Sequence, residues 1–454
     1  MPETENGWLP DLLYRDGKFE SGVALFAGAN GRTTRFSREP EDLRKAERLS
    51  GRALLPGLVS AHSHSFQRAI RGRTERRTAA GRDSFWTWRE AMYHTANRLS
   101  PDDVYAVARM AFLEMALSGI TTVGEFHYLH HSPDGTRYED PNLLAKYVVQ
   151  AANDVGVRIV LLRTAYARAG WQMAPNPGQA RFITPSADTF LSDTEELRQW
   201  AKGRASVGVA PHSVRAVPLE YFMRVVEYAT AQRMPIHMHA AEQPAEIDAC
   251  LNEHGVRPIE LLQRHGLLGP LFTAIHAIHV TEEEIGFLAQ AGARVCACPT
   301  TERNLGDGAV PADKYREHGV PICLGSDSNV QIDLLEDARE LEYHLRMKKL
   351  ERAVLACGTE PENLAHSLFE SATRVGAASL QAGHEADFFT VDSNDPAIAG
   401  ASEDSLLSHI VFSAGRSAIR DTYVAGKAIV QDGRHAQQAE ITEEFRTVQR
   451  KLWS

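Results

Sequence analysis

Eight short runs of apolar and β-branched residues, separated by longer amphipathic stretches, most constrain how this chain of 454 residues can fold. Such alternation is typical of repeated βα units, in which a helix follows each strand and packs on the sheet. The runs cover residues 54–60, 120–126, 157–164, 206–210, 235–239, 271–279, 293–298 and 321–325. They predict an α/β protein with a (β/α)8 TIM barrel, whose chemistry gathers at the carboxyl ends of the strands. A doubly wound sheet is the alternative, but no G-x-G-x-x-G motif follows the first run.

The two ends of the chain have a different pattern of apolar and turn residues. Residues 7–55 alternate short apolar pieces with turn signals such as Asp16-Gly17 and Asn30-Gly31, which is typical of small antiparallel strands. Strand-like sequence returns after about residue 385. We expect both flanks to pair into one small β-sandwich domain beside the barrel. The predicted domains are the N-terminal part of the β domain (1–54), the barrel (55–384) and the C-terminal part of the β domain (385–454).

Charge and cysteine content argue against several classes of protein. The formal net charge of −10 disfavours binding to nucleic acid or to an anionic membrane surface. No apolar run approaches the roughly 18–20 residues that span a bilayer, and the acidic N-terminus lacks the features of a signal peptide. Five cysteines without C-x-x-C spacing suggest neither a disulfide framework nor a thiolate zinc site. We therefore expect a cytoplasmic protein that acts on a small molecule.

Histidine and aspartate recur where the predicted strands end. His62 and His64 follow the first run, and residues two apart on a strand share one face, so both imidazoles can reach one cation. A single such residue is more often a hydrogen-bonded core residue than a ligand. Together, three imidazoles and a carboxylate would suit Zn²⁺ or Fe²⁺ with room for a water. The remaining candidates are His237 and His239 on run five, His276 and His279 on run six, and Asp327 after run eight.

At these positions the chain resembles the amidohydrolase superfamily, and in particular its deaminase branch. The matching motifs are P-G-L-V-S-A-H-S-H at 56–64, H-A-A-E at 239–242, A-I-H at 274–276 and L-G-S-D at 324–327. Binuclear members of the superfamily bridge two metals with a strand-four lysine, which residues 205–213 lack. The resemblance thus implies one divalent ion per subunit, with Zn²⁺ expected and Fe²⁺ as the alternative, and a homodimer. The implied metal ligands are His62, His64, His239 and Asp327.

The same resemblance decides between neighbouring histidines and implies catalytic roles. His239 followed by Glu242 fits the H-x-x-E pattern of the branch, so His237 is interpreted as structural; His276, which follows Ala-Ile, is preferred to His279. A metal-bound water becomes a usable nucleophile near neutral pH. Asp327 would accept its proton, His276 would stabilise charge at the attacked centre, and Glu242 would relay a proton to the leaving nitrogen. Alternatively, Glu242 is a solvated residue at a helix start.

Residues after strands one, two and four suggest the substrate. Within the branch, the F-W-x-W-R-E-x-M-Y segment at 85–93 and the P-H-S-V-R-A-V segment at 211–217 resemble the formimidoylglutamate deiminases. A substrate with two carboxylates needs guanidinium groups and hydroxyl donors to bind it. Arg89 could instead stack on the aromatic residues around it, and Arg215 could be an ion-pair partner in a loop. The expected substrate-binding residues are Gln67, Arg89, Tyr128, His212 and Arg215.

Two alternative functions remain open at this stage. One is a deaminase of the same branch that acts on guanine or on an adenosine-like base. The other is a barrel without catalysis that serves as a binding or scaffold module. A scaffold would be expected to lose metal ligands or the proton-relay residue, whereas this sequence keeps the whole candidate set.

Overall fold

A computed structural model describes residues 5–77, 83–356, 364–383 and 385–454. The strands in chain order are β1 (Asn6–Arg15), β2 (Lys18–Glu20), β3 (Ala24–Ala27), β4 (Thr33–Ser37), β5 (Glu47–Pro56), β6 (Leu58–Ser63), β7 (Ile120–His127), β8 (Arg158–Ala165), β9 (Ala205–Pro211), β10 (Ile236–Ala240), β11 (Phe272–His276), β12 (Arg294–Ala297), β13 (Ile322–Leu324), β14 (Phe388–Asp392), β15 (Ile419–Val424) and β16 (Lys427–Val430).

The α-helices surround the strands, and three short 3-10 helices cover Ser65–Ile70, Pro177–Phe182 and Arg416–Ala418. The α-helices in chain order are α1 (Pro40–Lys45), α2 (Phe85–Ala96), α3 (Pro101–Leu117), α4 (Leu143–Val155), α5 (Ala187–Trp200), α6 (Leu219–Ala231), α7 (Pro244–His254), α8 (Pro258–Arg264), α9 (Glu282–Ala291), α10 (Pro299–Leu305), α11 (Ala312–Glu317), α12 (Leu334–Lys349), α13 (Leu364–Ser371), α14 (Arg374–Ser379), α15 (Leu406–Ser413) and α16 (Gln438–Trp453). Among the helices of the described ranges, none combines the length and apolar content that a membrane crossing requires.

Strands β6 to β13 form a parallel, nearly closed barrel in sequential order, which confirms the predicted fold class. The last strand meets the first at its carboxyl end, where the Asp327 N–H donates to the His62 carbonyl at 3.0 Å and the His64 N–H donates to the Asp327 carbonyl at 2.8 Å. Gly325 permits this approach, since a Cβ atom there would lie 2.8 Å from the His62 carbonyl oxygen. The close contact brings residues of the first and last strands to one point.

The flanks form one separate mixed sheet, which confirms that strands from both ends of the chain pair outside the barrel. Strand β5 pairs in parallel with β1 and antiparallel with β14, so both ends of the chain contribute to one sheet. Trp8 packs edge-on against Phe388 at a centroid distance of 5.1 Å, and Phe388 stacks on Tyr423 at 4.4 Å. These aromatic contacts give the sheet a small core of its own. The proposed boundaries after residues 54 and 384 stay predictions.

Two predicted strands differ substantially in extent from the observed ones, whereas the others agree to within one residue at each end. The run at 54–60 is divided at Gly57, because Leu54 and Leu55 belong to β5 of the mixed sheet whereas Leu58 begins the barrel. Residues buried in either sheet are equally apolar, so the run contains no signal of the change. The run at 271–279 ends as a strand at His276, where the backbone turns with φ 66°.

Candidate metal centre and active site

Four buried side chains converge at the carboxyl end of the barrel. The Nε2 atoms of His62 and His64 lie 3.2 and 3.4 Å from His239 Nε2, and 3.3 and 3.4 Å from Asp327 Oδ1. A tetrahedral ion bound at about 2.0–2.1 Å holds its ligand atoms about 3.3–3.4 Å apart. The separations therefore match the edges of a coordination tetrahedron. His62, His64, His239 and Asp327 form a buried metal site, at the residues predicted from the sequence.

The protonation and orientation of the imidazoles also suit a metal. His64 Nδ1 donates to the Phe126 carbonyl at 2.9 Å, and His239 Nδ1 donates to the His212 carbonyl at 3.2 Å. These bonds leave each Nε2 without a proton and turned toward the centre. Burial lowers the pKa of His64 to about 3 and that of His239 well below its usual range. The histidines are thus neutral, which is the form that binds metal.

Asp327 is held by the backbone of the barrel closure and by Asn329. Its φ is +42°, and that of Asn329 is +56°, so both residues occupy the left-handed region. The buried Asn329 Nδ2 lies 3.1 Å from three oxygens, namely Ser63 Oγ and the carbonyls of His64 and Asp327. Asn329 therefore ties the loop that carries Asp327 to the strand that carries the histidine pair. Sequence analysis missed this role.

His276 lies beside the metal ligands and is oriented by a carboxylate on its far side. Its Nδ1 lies 3.2 Å from Glu302 Oε1, while its Nε2 faces Glu242 Oε1 and Asp327 Oδ2, each at 3.7 Å. Burial alone would lower the pKa of His276, but Glu242, the Glu302 hydrogen bond and Asp327 raise it to about 10. The imidazole is therefore charged and directs an N–H toward the site. His279 lies apart, with Nε2 bonded to the Asp307 carbonyl at 2.9 Å.

Glu302 is a second residue that sequence analysis missed. It lies on α10, which starts directly after β12 with Pro299 as its first residue and is capped at its C-terminus by Gly306 in the left-handed region. Besides His276, Glu302 Oε1 accepts the backbone N–H of Cys298 at 2.8 Å. No motif marks it in the sequence, because its role depends on the fold bringing α10 against β11.

Glu242 follows β10 and is largely buried at the edge of the cavity. Its backbone N–H donates to Glu246 Oε2 at 3.3 Å, and the N–H of Ala241 donates to Glu246 Oε1 at 3.3 Å. Glu246 thereby fixes the turn that aims Glu242 at His276. Burial raises the pKa of Glu242 to about 7, although the charge of His276 lowers it. A carboxyl group with this pKa can both take up and release a proton near neutral pH.

A cavity opens above the metal site, and all five residues expected to bind substrate line it. Gln67 Nε2 donates to the Tyr128 hydroxyl at 2.9 Å, and both side chains are buried. His212 directs its Nδ1 toward Ser213 Oγ at 3.1 Å. The polar lining therefore comes from the loops after β6, β7 and β9, which the sequence had indicated.

Arg89 and Arg215 contribute two cationic groups to the same cavity. Arg89 does stack, with its guanidinium 4.4 Å from the centre of the Trp86 ring, yet its Nε is buried without a hydrogen-bond partner among the described residues. Arg215 Nη1 is likewise buried and has no hydrogen-bond partner there; burial lowers the pKa of Arg215, but the charge of Glu246 lies close enough to raise it. Both groups retain donors for a ligand.

His237 lies one pleat below His239 and faces a different partner. Its Nε2 donates to the Ser379 carbonyl at 3.1 Å, and its side chain is fully buried. It does not belong to the four-ligand cluster. This position agrees with its interpretation as a structural residue.

Comparisons with known proteins agree with the fold and the site. The family model described as "Amidohydrolase family" matches residues 53–429, and the chain belongs to this family. Formimidoylglutamate deiminase from Pseudomonas aeruginosa is 39% identical over 402 residues, covering 86% of this chain and 87% of that protein. A 5-methylthioadenosine/S-adenosylhomocysteine deaminase from Natronomonas pharaonis is 27% identical, covering 84% and 82%. The crystal structure of an amidohydrolase from Brucella melitensis superposes with a TM-score of 0.90 at 33% identity, covering 99% and 100%.

Proposed function

We propose that this protein hydrolyses N-formimino-L-glutamate to N-formyl-L-glutamate and ammonia, with one Zn²⁺ per subunit. The observation that carries the proposal is the pair of arginines, Arg89 and Arg215, which line the cavity above the metal site and each keep one buried donor without a hydrogen-bond partner among the described residues. Two guanidinium groups suit the two carboxylates of a glutamyl substrate. The similarity to formimidoylglutamate deiminase from Pseudomonas aeruginosa supports the same substrate.

The ligand set supports the choice of metal. Three neutral imidazoles and one carboxylate oxygen form a tetrahedral set of the kind that zinc prefers, and Fe²⁺ is the alternative for the same ligands. When bound, the ion lowers the pKa of a coordinated water so that hydroxide is available near neutral pH.

Three residues of the chain would transfer protons and stabilise charge during the reaction. Asp327 Oδ2 is turned away from the ligand atoms toward His276, so this oxygen can accept the proton of the attacking water. The charged His276 Nε2–H would hold the developing charge at the formimino carbon. Glu242, with a pKa of about 7, would carry a proton to the departing nitrogen. Water supplies the new carbonyl oxygen, and the imino nitrogen leaves as ammonia.

A purine deaminase is the second candidate, because a relative with an adenosine-type substrate in its name is 27% identical. The lining of the cavity argues against it. A neutral base offers no anionic group to two guanidinium side chains, so their free donors would gain no charge-assisted hydrogen bond from it.

Ammonia release tests the proposal directly. The zinc-loaded protein is assayed side by side with N-formimino-L-glutamate, guanine and 5′-methylthioadenosine. We expect turnover of the first compound alone. Turnover of either purine, without turnover of N-formimino-L-glutamate, would refute the proposal.

We propose a cytoplasmic homodimer with no nucleic-acid partner, on the basis of the resemblance to the deaminase branch and the net charge of −10. The four cysteines of the described ranges are free thiols, as expected in a reducing compartment. Sedimentation equilibrium of the zinc-loaded protein would test the dimer, and a monomeric mass would exclude it.

A further inference from the structure

Two buried tyrosines that are not among the expected substrate-binding residues also line the cavity. Tyr93, on α2, and Tyr166, directly after β8, are 4% and 1% exposed. Gln179, on the 3-10 helix at Pro177–Phe182, joins them: its Nε2 donates to the Tyr93 hydroxyl at 2.9 Å and to the Tyr166 hydroxyl at 2.5 Å. One amide therefore fixes two hydroxyl groups that come from distant parts of the chain.

The direction of these bonds leaves hydroxyl protons for a ligand. A tyrosine hydroxyl has one proton to donate and also accepts hydrogen bonds. Because Gln179 donates to both oxygens, it takes up neither proton. Burial raises the pKa of Tyr93, so its hydroxyl keeps its proton throughout the physiological range. Tyr93 and Tyr166 are also within hydrogen-bonding reach of each other, so one hydroxyl can donate to the other and the pair keeps a proton for the cavity.

Both hydroxyl groups lie next to the cationic residues. Arg215 is within hydrogen-bonding reach of Tyr166, and the Arg89 guanidinium lies 5.5 Å from the centre of the Tyr93 ring. The Tyr166 ring also packs edge-on against His212 at a centroid distance of 4.6 Å. The two guanidinium groups and the two hydroxyls therefore form one donor-rich wall of the cavity, and an anionic group suits such a wall.

We propose that Tyr93 and Tyr166 bind a carboxylate of the substrate together with the two arginines, and that Gln179 is the positioning residue that holds the pair. This inference rests on the proposed function, since it assumes a carboxylate-bearing formimino substrate. It predicts that the selectivity for such substrates depends on three residues outside the metal site. A purely structural role, in which the three side chains only join α2 to the loop after β8, would affect folding but not selectivity.

Tyr93→Phe and Tyr166→Phe test the two donors. Each should lower kcat/KM for N-formimino-L-glutamate by roughly 10-fold or more, the worth of one hydrogen bond to a charged group, mainly through a higher KM. A carboxylate-free N-alkylformamidine should lose less than about 2-fold. The Kd of the product N-formyl-L-glutamate, measured by calorimetry, should rise by the same factor as KM. Tyr221→Phe is the matched control, because this buried hydroxyl donates to the Thr184 carbonyl at 3.1 Å and does not line the cavity.

Gln179→Glu tests the positioning role with almost no change in shape. A carboxylate at this position would accept both hydroxyl protons and add a negative charge near the binding site. We expect product affinity to fall by more than in either tyrosine variant, with the thermal midpoint and zinc content retained.

The outcomes separate this inference from the proposed function. If the wild type does not hydrolyse N-formimino-L-glutamate, the proposed function fails and this inference fails with it. If the wild type is active but both tyrosine variants bind product as tightly as Tyr221→Phe, only the tyrosine inference is overturned. Equal losses for the carboxylate-free compound would also overturn it, because they would indicate a structural role.

Discussion

Arg215→Met should separate recognition of the substrate from the chemical step. The arginine lies after β9, and its Nη1 atom is buried without a hydrogen-bond partner within the described residues, so this donor is free for a ligand. Methionine keeps much of the aliphatic length of the side chain but lacks the charged guanidinium group. The effect should therefore fall on ligand binding rather than on folding.

The size of the loss follows from the contacts available to the guanidinium. A hydrogen bond to a charged group contributes about 1.5–3 kcal/mol, so a two-pronged contact contributes about 3–6 kcal/mol. Since about 1.4 kcal/mol is a factor of ten, kcat/KM for N-formimino-L-glutamate should fall by at least about 100-fold. Arg215→Lys keeps the positive charge but cannot form the two-pronged contact, so it should give an intermediate loss of kcat/KM.

Steady-state kinetics with two substrates would measure the loss of kcat/KM in Arg215→Met. The carboxylate-free N-alkylformamidine should lose less than about 3-fold in Arg215→Met, because it never contacts the arginine. Arg264→Met is the matched control, since Arg264 is 61% exposed at its side chain and pairs with Glu260 on the outer surface. Equal losses on both substrates would show that Arg215 does not hold a carboxylate, and the argument from the two arginines would fail.

Three further predictions concern the metal, the proton carrier and the barrel closure. Glu242→Gln should retain zinc, measured by elemental analysis, while kcat falls by about 10²–10⁴-fold; full activity would remove Glu242 from the mechanism. Removal of the ion by a chelator should lower the thermal midpoint, since a ligand present at a thousand times its Kd stabilises a protein by about 4 kcal/mol. An unchanged midpoint on calorimetry, with the metal shown to be gone, would contradict a structural contribution of the site. Gly325→Ala should reduce the free energy of unfolding by about 1–3 kcal/mol and weaken zinc binding, because the new Cβ would lie 2.8 Å from the His62 carbonyl. Urea denaturation and chelator competition measure both effects, and wild-type values would show that the closure tolerates the methyl group.

The four metal ligands could be predicted from the sequence because strand ends impose their geometry. His62 and His64 share a face by strand alternation, and every barrel strand delivers its last residues to the same end. Strand alternation could not decide between His237 and His239, because both lie on one face of β10. The resemblance to the family was needed to choose His239 as the ligand. Only the hydrogen bond from His237 to Ser379 shows that the lower imidazole faces away from the metal.

Glu302, Asn329 and Gln179 could not be predicted because their roles depend on contacts between separate segments. Glu302 lies on a short helix after β12 and acts on a histidine of β11, while Gln179 acts on tyrosines that belong to two other elements. Each is an ordinary polar residue in its local sequence. The break at Gly57 was missed for the same reason, since an apolar run does not reveal which of two sheets buries it.

The contact between the first and last barrel strands has a consequence for synthesis of the protein. His62 and His64 leave the ribosome early, but the backbone bonds that complete their surroundings come from Asp327, near the end of the barrel. A nascent chain that stops short of Asp327 holds three imidazoles without their carboxylate and without the strand that seals them. Metal capture at full affinity must therefore wait until the barrel closes, so zinc uptake would report the completion of the fold.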